Sequence, residues 1–291
     1  MREKPLKWRM LAALGRGVNI AVRLPFIPMG KRREAIAVST IMEQMSYAYS
    51  AELPDGRALQ FFSPGYKPAI RGISLFTKQP EVPIWIDTFS PGDVLWDVGA
   101  NVGTYSLYAA SREGVQVLAF EPEASNYFVL TRNVALNGMW DRIKTYCMAL
   151  SDETSLSELS LFHTAIGGSK HAFGDPEESW EEDDPIVFQQ GMIGFSIDGL
   201  IEQFGCPVPN HIKIDVDGIE EKIIAGARKT LRNPKLQSIL LELQAHKPEE
   251  ADAMKADLVD AGFSLDLDAG ANVIYRRASL ATTDGLKAPN R

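Results

Sequence analysis

The feature that most constrains this chain is a glycine turn set between two kinds of periodicity. Asp97, Val98, Gly99, Ala100, Asn101, Val102 and Gly103 stand where the apolar strand Val94 to Val98 gives way to a helix over Val102 to Ser111. The alternation continues through a strand at Val115 to Phe120, a helix at Glu123 to Asn137 and a strand at Ile143 to Leu150. An added strand, Leu159 to Phe162, is followed by a polar loop containing Gly167, Gly168 and Gly174. The pattern resumes with helix Ser196 to Phe204, strand His211 to Val216, helix Glu220 to Leu231, strand Ser238 to Leu243 and helix Pro248 to Ala261. Phe263 to Leu267 and Asn272 to Tyr275 then read as a closing antiparallel hairpin. Strands and helices in alternation require a mostly parallel sheet covered on both faces, so the fold class is α/β.

Upstream, Leu6 to Pro25 mixes apolar residues with Lys7, Arg9, Arg16 and Arg23, as one amphipathic helix or two broken near Gly15 and Gly17. A second helix over Arg33 to Tyr49 leads through Pro54, Asp55 and Gly56 to the short strand Ala58 to Phe62. The expected division is therefore a helical extension with a short hairpin over 1–80, a main domain over 81–278 and a polar tail over 279–291.

Charge is unevenly spread. The net charge is −8, yet Met1 to Arg33 holds nine Lys and Arg against one acid, or +8, which leaves −16 for the rest. The acidic body should repel nucleic acid. The basic extension can lie on an anionic membrane, but its apolar face reads as weakly segregated, which favours packing as a lid or a homodimer arm. Arg16 and Arg23 interrupt the apolar run, so neither a signal peptide nor a transmembrane span is expected, and the protein is placed in the cytoplasm. The two cysteines, Cys147 and Cys206, form no metal or disulfide pattern. Cys147 sits in an apolar run and reads as a buried thiol.

Glycines between a strand and a helix let the backbone turn tightly and approach a ligand. Glu121 ends the next strand, where an acid accepts hydrogen bonds from ribose hydroxyls. A dinucleotide fingerprint needs the order Gly-x-Gly-x-x-Gly, which places pyrophosphate on a helix N-terminus. Here Asp97 leads an Asp-x-Gly-x-x-x-Gly turn. A leading carboxylate repels pyrophosphate and favours the ammonium of an amino-acid tail, which S-adenosylmethionine carries.

These residues resemble the FkbM family of methyltransferases. The resemblance covers roughly Pro91 to Leu243 and rests on five motifs in order. They are Asp97 to Gly103; Ala119 to Pro122 with Asn133 and Asn137; Ala149 to Asp152; Ile212 to Glu220 with Gly226; and Leu240 to Leu243. It implies a Rossmann-like, seven-stranded methyltransferase sheet that binds S-adenosyl-L-methionine at the first strand ends. It further implies O-methylation of a hydroxyl on a sugar, glycolipid or other small molecule. By matching motif, Asp97, Gly99, Asn101 and Gly103 take the methionine side of the cofactor, Glu121 its ribose, and Ser151 and Asp152 the neighbourhood of its adenine. Asp217 departs from the family, which usually carries glutamate there.

Methyl transfer from a sulfonium is an in-line displacement, and the acceptor hydroxyl must lose a proton to a positioned base. In an open parallel sheet the base comes from beyond the carboxyl ends of the strands. Lys213, Asp215 and Asp217 alternate to one face at one strand tip, and Glu242, Gln244 and His246 follow the next. Asp215, Glu242, Lys213 and His246 are the catalytic candidates, with His171 a weaker one in a loop that could cover the site. Carboxylates at neighbouring tips could alternatively hold Mg²⁺. The acidic run from Asp175 to Asp184 lacks calcium-loop spacing and reads as solvated loop that shapes acceptor choice. Two rivals stand beside this reading: an NAD-dependent oxidoreductase, and a non-enzymatic membrane-surface or scaffold protein that keeps the fold.

Overall fold

Val94, Leu95, Trp96, Asp97 and Val98 are apolar on both faces apart from Asp97, which is what a strand covered by helices on each side requires. The computed structural model describes residues 6–45, 47–176 and 185–277. The acidic residues 177–184 and the tail expected at 279–291 lie outside the described residues. The chain forms two units, Met1–Tyr47 and Ala48–Arg291.

In the first unit, α1 (Leu6–Arg23) is one unbroken helix, so Gly15 and Gly17 do not interrupt it. A 3-10 turn (Leu24–Met29) containing Pro25 and Pro28 leads to α2 (Lys31–Gln44). Arg23 pairs with Glu34 at 2.8 Å across that turn. The expectation that this chain holds no membrane-length segment is corrected: Met10–Met29 is long and apolar enough to cross a bilayer by length and composition.

The second unit begins earlier than expected, with hairpin β1 (Ala48–Glu52) and β2 (Ala58–Phe62). The hairpin belongs with the sheet because Leu59 and Phe61 are buried in its core. Helices α3 (Tyr66–Ile73) and α4 (Glu81–Ile86) follow. The central elements are β3 (Val94–Val98), α5 (Thr104–Ser111), β4 (Gln116–Phe120), α6 (Ala124–Leu136) and β5 (Ile143–Tyr146). Asn133 and Asn137 of α6 accept the backbone N–H groups of Phe62 and Gln60 at 2.6 and 2.8 Å, which ties the free edge of β2 down. The Asn133 side chain also donates to Val102 O at 2.7 Å, inside the glycine turn.

The expected third strand divides: β5 stays in the main sheet, and β6 (Ala149–Leu150) pairs instead with β9 (Phe188–Phe195). With β7 (Ser155–Leu161) and β8 (His171–Phe173) these make a separate four-stranded sheet in the order β6-β9-β7-β8. Strands β8 and β9 were not expected, since the polar residues around them mask a half-exposed pattern. The chain continues through α7 (Ile197–Phe204), β10 (His211–Ile214), α8 (Glu220–Ala225), α9 (Arg228–Arg232), β11 (Ser238–Glu242), α10 (Pro248–Asp260), β12 (Phe263–Asp268) and β13 (Asn272–Arg277). The single helix expected over Glu220 to Leu231 is two, broken at Gly226, where a Cβ would overlap the Ser151 carbonyl.

The main sheet has seven strands in the order β12-β13-β11-β10-β3-β4-β5. Strands β5, β4, β3, β10 and β11 are parallel, and β13 runs antiparallel to β11 and β12. This is the Rossmann-like sheet, and the strand order reverses between β3 and β10, where such folds open a ligand crevice. Trp96, Val98, Ile212 and Ile239 pack on one face, Leu95, Val117, Leu240 and Ile274 on the other.

At the opposite, amino ends of the strands, His211 bridges Ser238 Oγ (2.8 Å) and Asp93 Oδ2 (3.0 Å). The constellation has the members of a nucleophile triad, but Ser238 is fully buried and its Oγ also accepts from Trp85 Nε1 at 2.8 Å. It is a satisfied polar core.

Candidate functional site

Beyond the carboxyl ends of β3, β4 and β10 lies a cleft of about 210 Å³. Its floor is the glycine turn. Gly99 has φ 78°, and a Cβ there would overlap the carbonyl oxygen of Asp215 on the neighbouring strand. Only glycine allows the two strand tips to come this close. Asn101 also adopts a left-handed φ of 52°, and its backbone N–H donates to Glu121 Oε2 at 2.7 Å.

Glu121 lines the cleft from the tip of β4. Its other oxygen accepts from Glu123 N at 3.0 Å and from Asn126 Nδ2 at 3.4 Å. Burial outweighs these hydrogen bonds and raises its carboxyl to about 7. Glu123, also on the wall, caps α6 by accepting from Ser125 N and Asn126 N.

The loop after β7 roofs the cleft. Gly168 O accepts from Asn101 Nδ2 (2.6 Å) and Asn126 Nδ2 (3.1 Å), while Gly167 N donates to Asn126 Oδ1 (2.7 Å). Lys170 N donates to Asp217 Oδ2 at 2.6 Å, so the roof is fastened on both sides. Asp217, at φ 66°, is raised to about 6, chiefly by burial. His171 lines the same space, and burial with His163 nearby lowers it to about 4, leaving a neutral imidazole.

The tips of β10 and β11 carry the other carboxylates. Lys213 is fully buried, with Nζ 3.0 Å from Asp215 Oδ2 and 3.7 Å from Asp97 Oδ1. Burial opposes its charge, but Asp215 and Asp97 more than reverse that and hold the ammonium above the usual lysine range. Burial alone would raise Asp215; the charge of Lys213, with hydrogen bonds to Glu242 and Lys213, instead holds it well below the usual carboxylate range. Glu242 is driven the other way, first by burial and then by the Asp215 charge. The two carboxyls titrate as a pair, with the higher proton affinity on Glu242. Both line the cleft.

A small chamber of about 30 Å³ adjoins the first, and Arg71, Lys78, Gly99, Asn101 and Asp215 border both. Thr104 Oγ1 and Asn101 Oδ1, on residues of its wall, are buried without a hydrogen-bond partner.

The sequence candidates are therefore distributed unevenly. Gly99, Asn101, Glu121, Asp215 and Glu242 meet in the cleft. Lys213 stands behind it, reaching only the smaller chamber. Asp97 is 1% exposed and lies behind the turn, accepting from Ser106 Oγ at 2.5 Å. Gly103 faces Leu130 of α6. Ser151 is buried beside Asp152, which accepts its hydroxyl at 2.9 Å, and neither lines the cleft; Met148, Ala149 and Leu150 do. His246 is absent from the cleft wall as well. Cys147, expected buried, is exposed. Among the described residues no group of three or more His, Cys, Asp or Glu side chains is arranged to hold a metal ion. Sequence reasoning missed Asn126, Glu123, Arg71 and Lys78. The cap position of Glu123 is a recognisable helix-start signal; Arg71 and Lys78 carry no motif.

Residues 97–265 match the methyltransferase FkbM domain. The chain belongs to the FkbM methyltransferase family. It is 25% identical over 171 residues to the hexuronic acid methyltransferase AglP of Haloferax volcanii, an alignment covering 58% of this chain and 63% of that one. It is 26% identical over 174 residues to the 31-O-demethyl-FK506 methyltransferase FkbM of Streptomyces tacrolimicus, covering 53% and 66%. A crystal structure of an FkbM methyltransferase from Methylobacillus flagellatus superposes with a TM-score of 0.45 at 17% identity, over 65% of this chain and 44% of that chain. The chain thus spans less than two thirds of the length of the curated relatives it matches.

FkbM-type methyltransferases use S-adenosylmethionine, and the residues present fit it. Gly99 leaves the room a close backbone approach needs. Glu121 offers carboxylate lone pairs at a ribose position, and the partnerless oxygens of Thr104 and Asn101 await polar contacts in the smaller chamber.

Proposed function

We propose that this protein transfers a methyl group from S-adenosylmethionine to a hydroxyl oxygen of a sugar or other small molecule. The observation that carries this reading is that one cleft brings Gly99, Asn101 and Glu121 against Asp215 and Glu242. S-adenosylmethionine, when bound, supplies an electrophilic methyl group. Glu121 accepts the ribose hydroxyls, and the backbone at Gly99 gives the cofactor a close seat. Arg71 and Lys78 face its amino-acid carboxylate and Asp215 its ammonium. Glu242, in its ionised form, would take the proton of the acceptor hydroxyl. A base works best with proton affinity near the working pH, which favours Glu242 over Asp215, held ionised by Lys213. The roof from Gly167 to His171 keeps water out of the displacement.

By likeness to AglP, a uronic acid is the first acceptor to test. Calorimetric titration with S-adenosylhomocysteine, beside NAD, tests the cofactor half, and the same titration on Glu121→Ala tests the ribose contact. Micromolar binding of the homocysteine compound, weakened in the variant, supports the reading. Preference for NAD would move the oxidoreductase rival to the front. Acceptor screening with labelled methyl donor then tests the transfer.

A further inference from the structure

We propose that the N-terminal unit docks this enzyme on an anionic lipid surface, with α1 lying flat in the headgroup region. Met10, Leu11, Leu14 and Val18 of α1 are each between 52% and 64% exposed within the structure. At 3.6 residues per turn, these four and Val22 fall within an arc of about 120° along the helix. Arg16, Asn19 and Arg23 occupy the opposite side, and Ile20 lies on that side with them. An apolar stripe that the linear sequence conceals thus runs along α1, and the polar side opposite it is interrupted by Ile20. A helix with a continuous apolar stripe and cations on the other side is built for a water–lipid boundary.

Charge selects the partner. Met1 to Arg33 carries +8 against −16 for the remainder, and Lys31, Arg32 and Arg33 stand together at the start of α2. All three are exposed. An anionic surface attracts this unit at roughly 1 kcal/mol per nearby Lys or Arg and repels the acidic body. A second copy of the N-terminal unit offers no such complement, because pairing two α1 helices brings together the same positive charge.

The flat orientation is favoured over a span because Arg16 and Arg23 interrupt the membrane-length segment Met10–Met29. Met10 to Val22 rises only about 20 Å at 1.5 Å per residue, against a hydrocarbon core of about 30 Å. The apolar segment reaches membrane length only by adding the 3-10 turn with Pro25 and Pro28, beyond the charged Arg23. In the flat orientation Arg16 and Arg23 stay in the headgroups, where cations are favourable.

The test is co-sedimentation of the full chain with vesicles of phosphatidylcholine, with and without phosphatidylglycerol. Binding is expected only when phosphatidylglycerol is present, and should weaken with added salt. The double variant Leu14→Glu, Val18→Glu should lower partition by about tenfold or more, since two buried apolar contacts are replaced by anions. Changing Lys31, Arg32 and Arg33 together to Gln should weaken binding while leaving the apolar stripe intact. Thermal unfolding of each variant, unchanged from the parent, shows that the fold persists. Absence of vesicle binding by the parent overturns the proposal. So does a parent that sediments as a dimer and becomes monomeric in the double variant, which would assign the stripe to self-association. Resistance to alkaline extraction from expressing cells' membranes would overturn the flat orientation in favour of a span.

Discussion

Two acids, the buried Glu121 at the tip of β4 and the half-buried Asp215 beyond the tip of β10, face the same cleft and are handled in opposite ways. Glu121 is met by neutral donors alone, the backbone N–H groups of Asn101 and Glu123 and the amide of Asn126, and its carboxyl keeps a raised proton affinity. Asp215 has a buried lysine at 3.0 Å, which holds it ionised. Neutral donors leave a carboxyl responsive to what arrives, whereas a buried cation fixes its state before any ligand enters. The Glu121 side is thus a receiver, and the Asp215 side is set in advance.

The largest expected effect breaks the geometry that both sides share. Gly99→Ala forces a side chain against the Asp215 carbonyl at a φ of 78°, a strain of about 1–3 kcal/mol before the overlap is counted. Calorimetry with S-adenosylhomocysteine should detect no binding, and thermal unfolding should report a lower midpoint. Unaltered affinity would show that the two strand tips are not in contact.

Glu242→Gln removes the proton acceptor without disturbing the cofactor side. Turnover should fall by about 10²–10⁴-fold, with affinity for S-adenosylhomocysteine retained. A variant with undiminished turnover would transfer the role to His171, which shares the cleft. Lys213→Met leaves Asp215 without its cation, and denaturant titration should show a loss of about 3–5 kcal/mol. A loss below about 1 kcal/mol would mean that Asp215 is hydrated well enough to need no partner.

The smallest effect sharpens the receiver side through pH. The folded carboxyl of Glu121 is raised to about 7 from an ordinary 4.5, so the unfolded chain releases its proton first as pH rises. Its contribution to stability is complete below the ordinary value and disappears as pH climbs through about 7. Asp217, Glu220 and Glu242 are raised too and add to the same decline. The unfolding midpoint of the ligand-free protein should therefore drop across this window, and less steeply in Glu121→Gln. An identical slope in that variant would show that Glu121 titrates normally.

The sheet was legible in the sequence because its strands are buried on both faces and its helices alternate with them. The glycine turn and Glu121 were legible because backbone conformation restricts residue choice there. Asp97 shows the limit: its position in the motif suggested a ligand contact, while the structure turns it toward Ser106 and Lys213. Strand β9 escaped notice because Gln189, Gln190 and Gly191 dilute its pattern, and it pairs with residues 27 to 45 positions away. Arg71 and Lys78 were invisible because only folding brings the segment before β3 over the tips of β3 and β10. On α1 the composition was read correctly, but the arc on which its apolar residues fall needed the helix itself.

The near-contact between Gly99 and the Asp215 carbonyl also bears on how this enzyme can be rebuilt. Segments exchanged with a relative must carry both strand tips together, because a first tip fitted to a different fourth tip either collides or leaves a gap. Cofactor loop and acceptor wall are one inheritable part, and the freedom to retune substrate choice lies in the roof and the second sheet, which can vary without moving that joint.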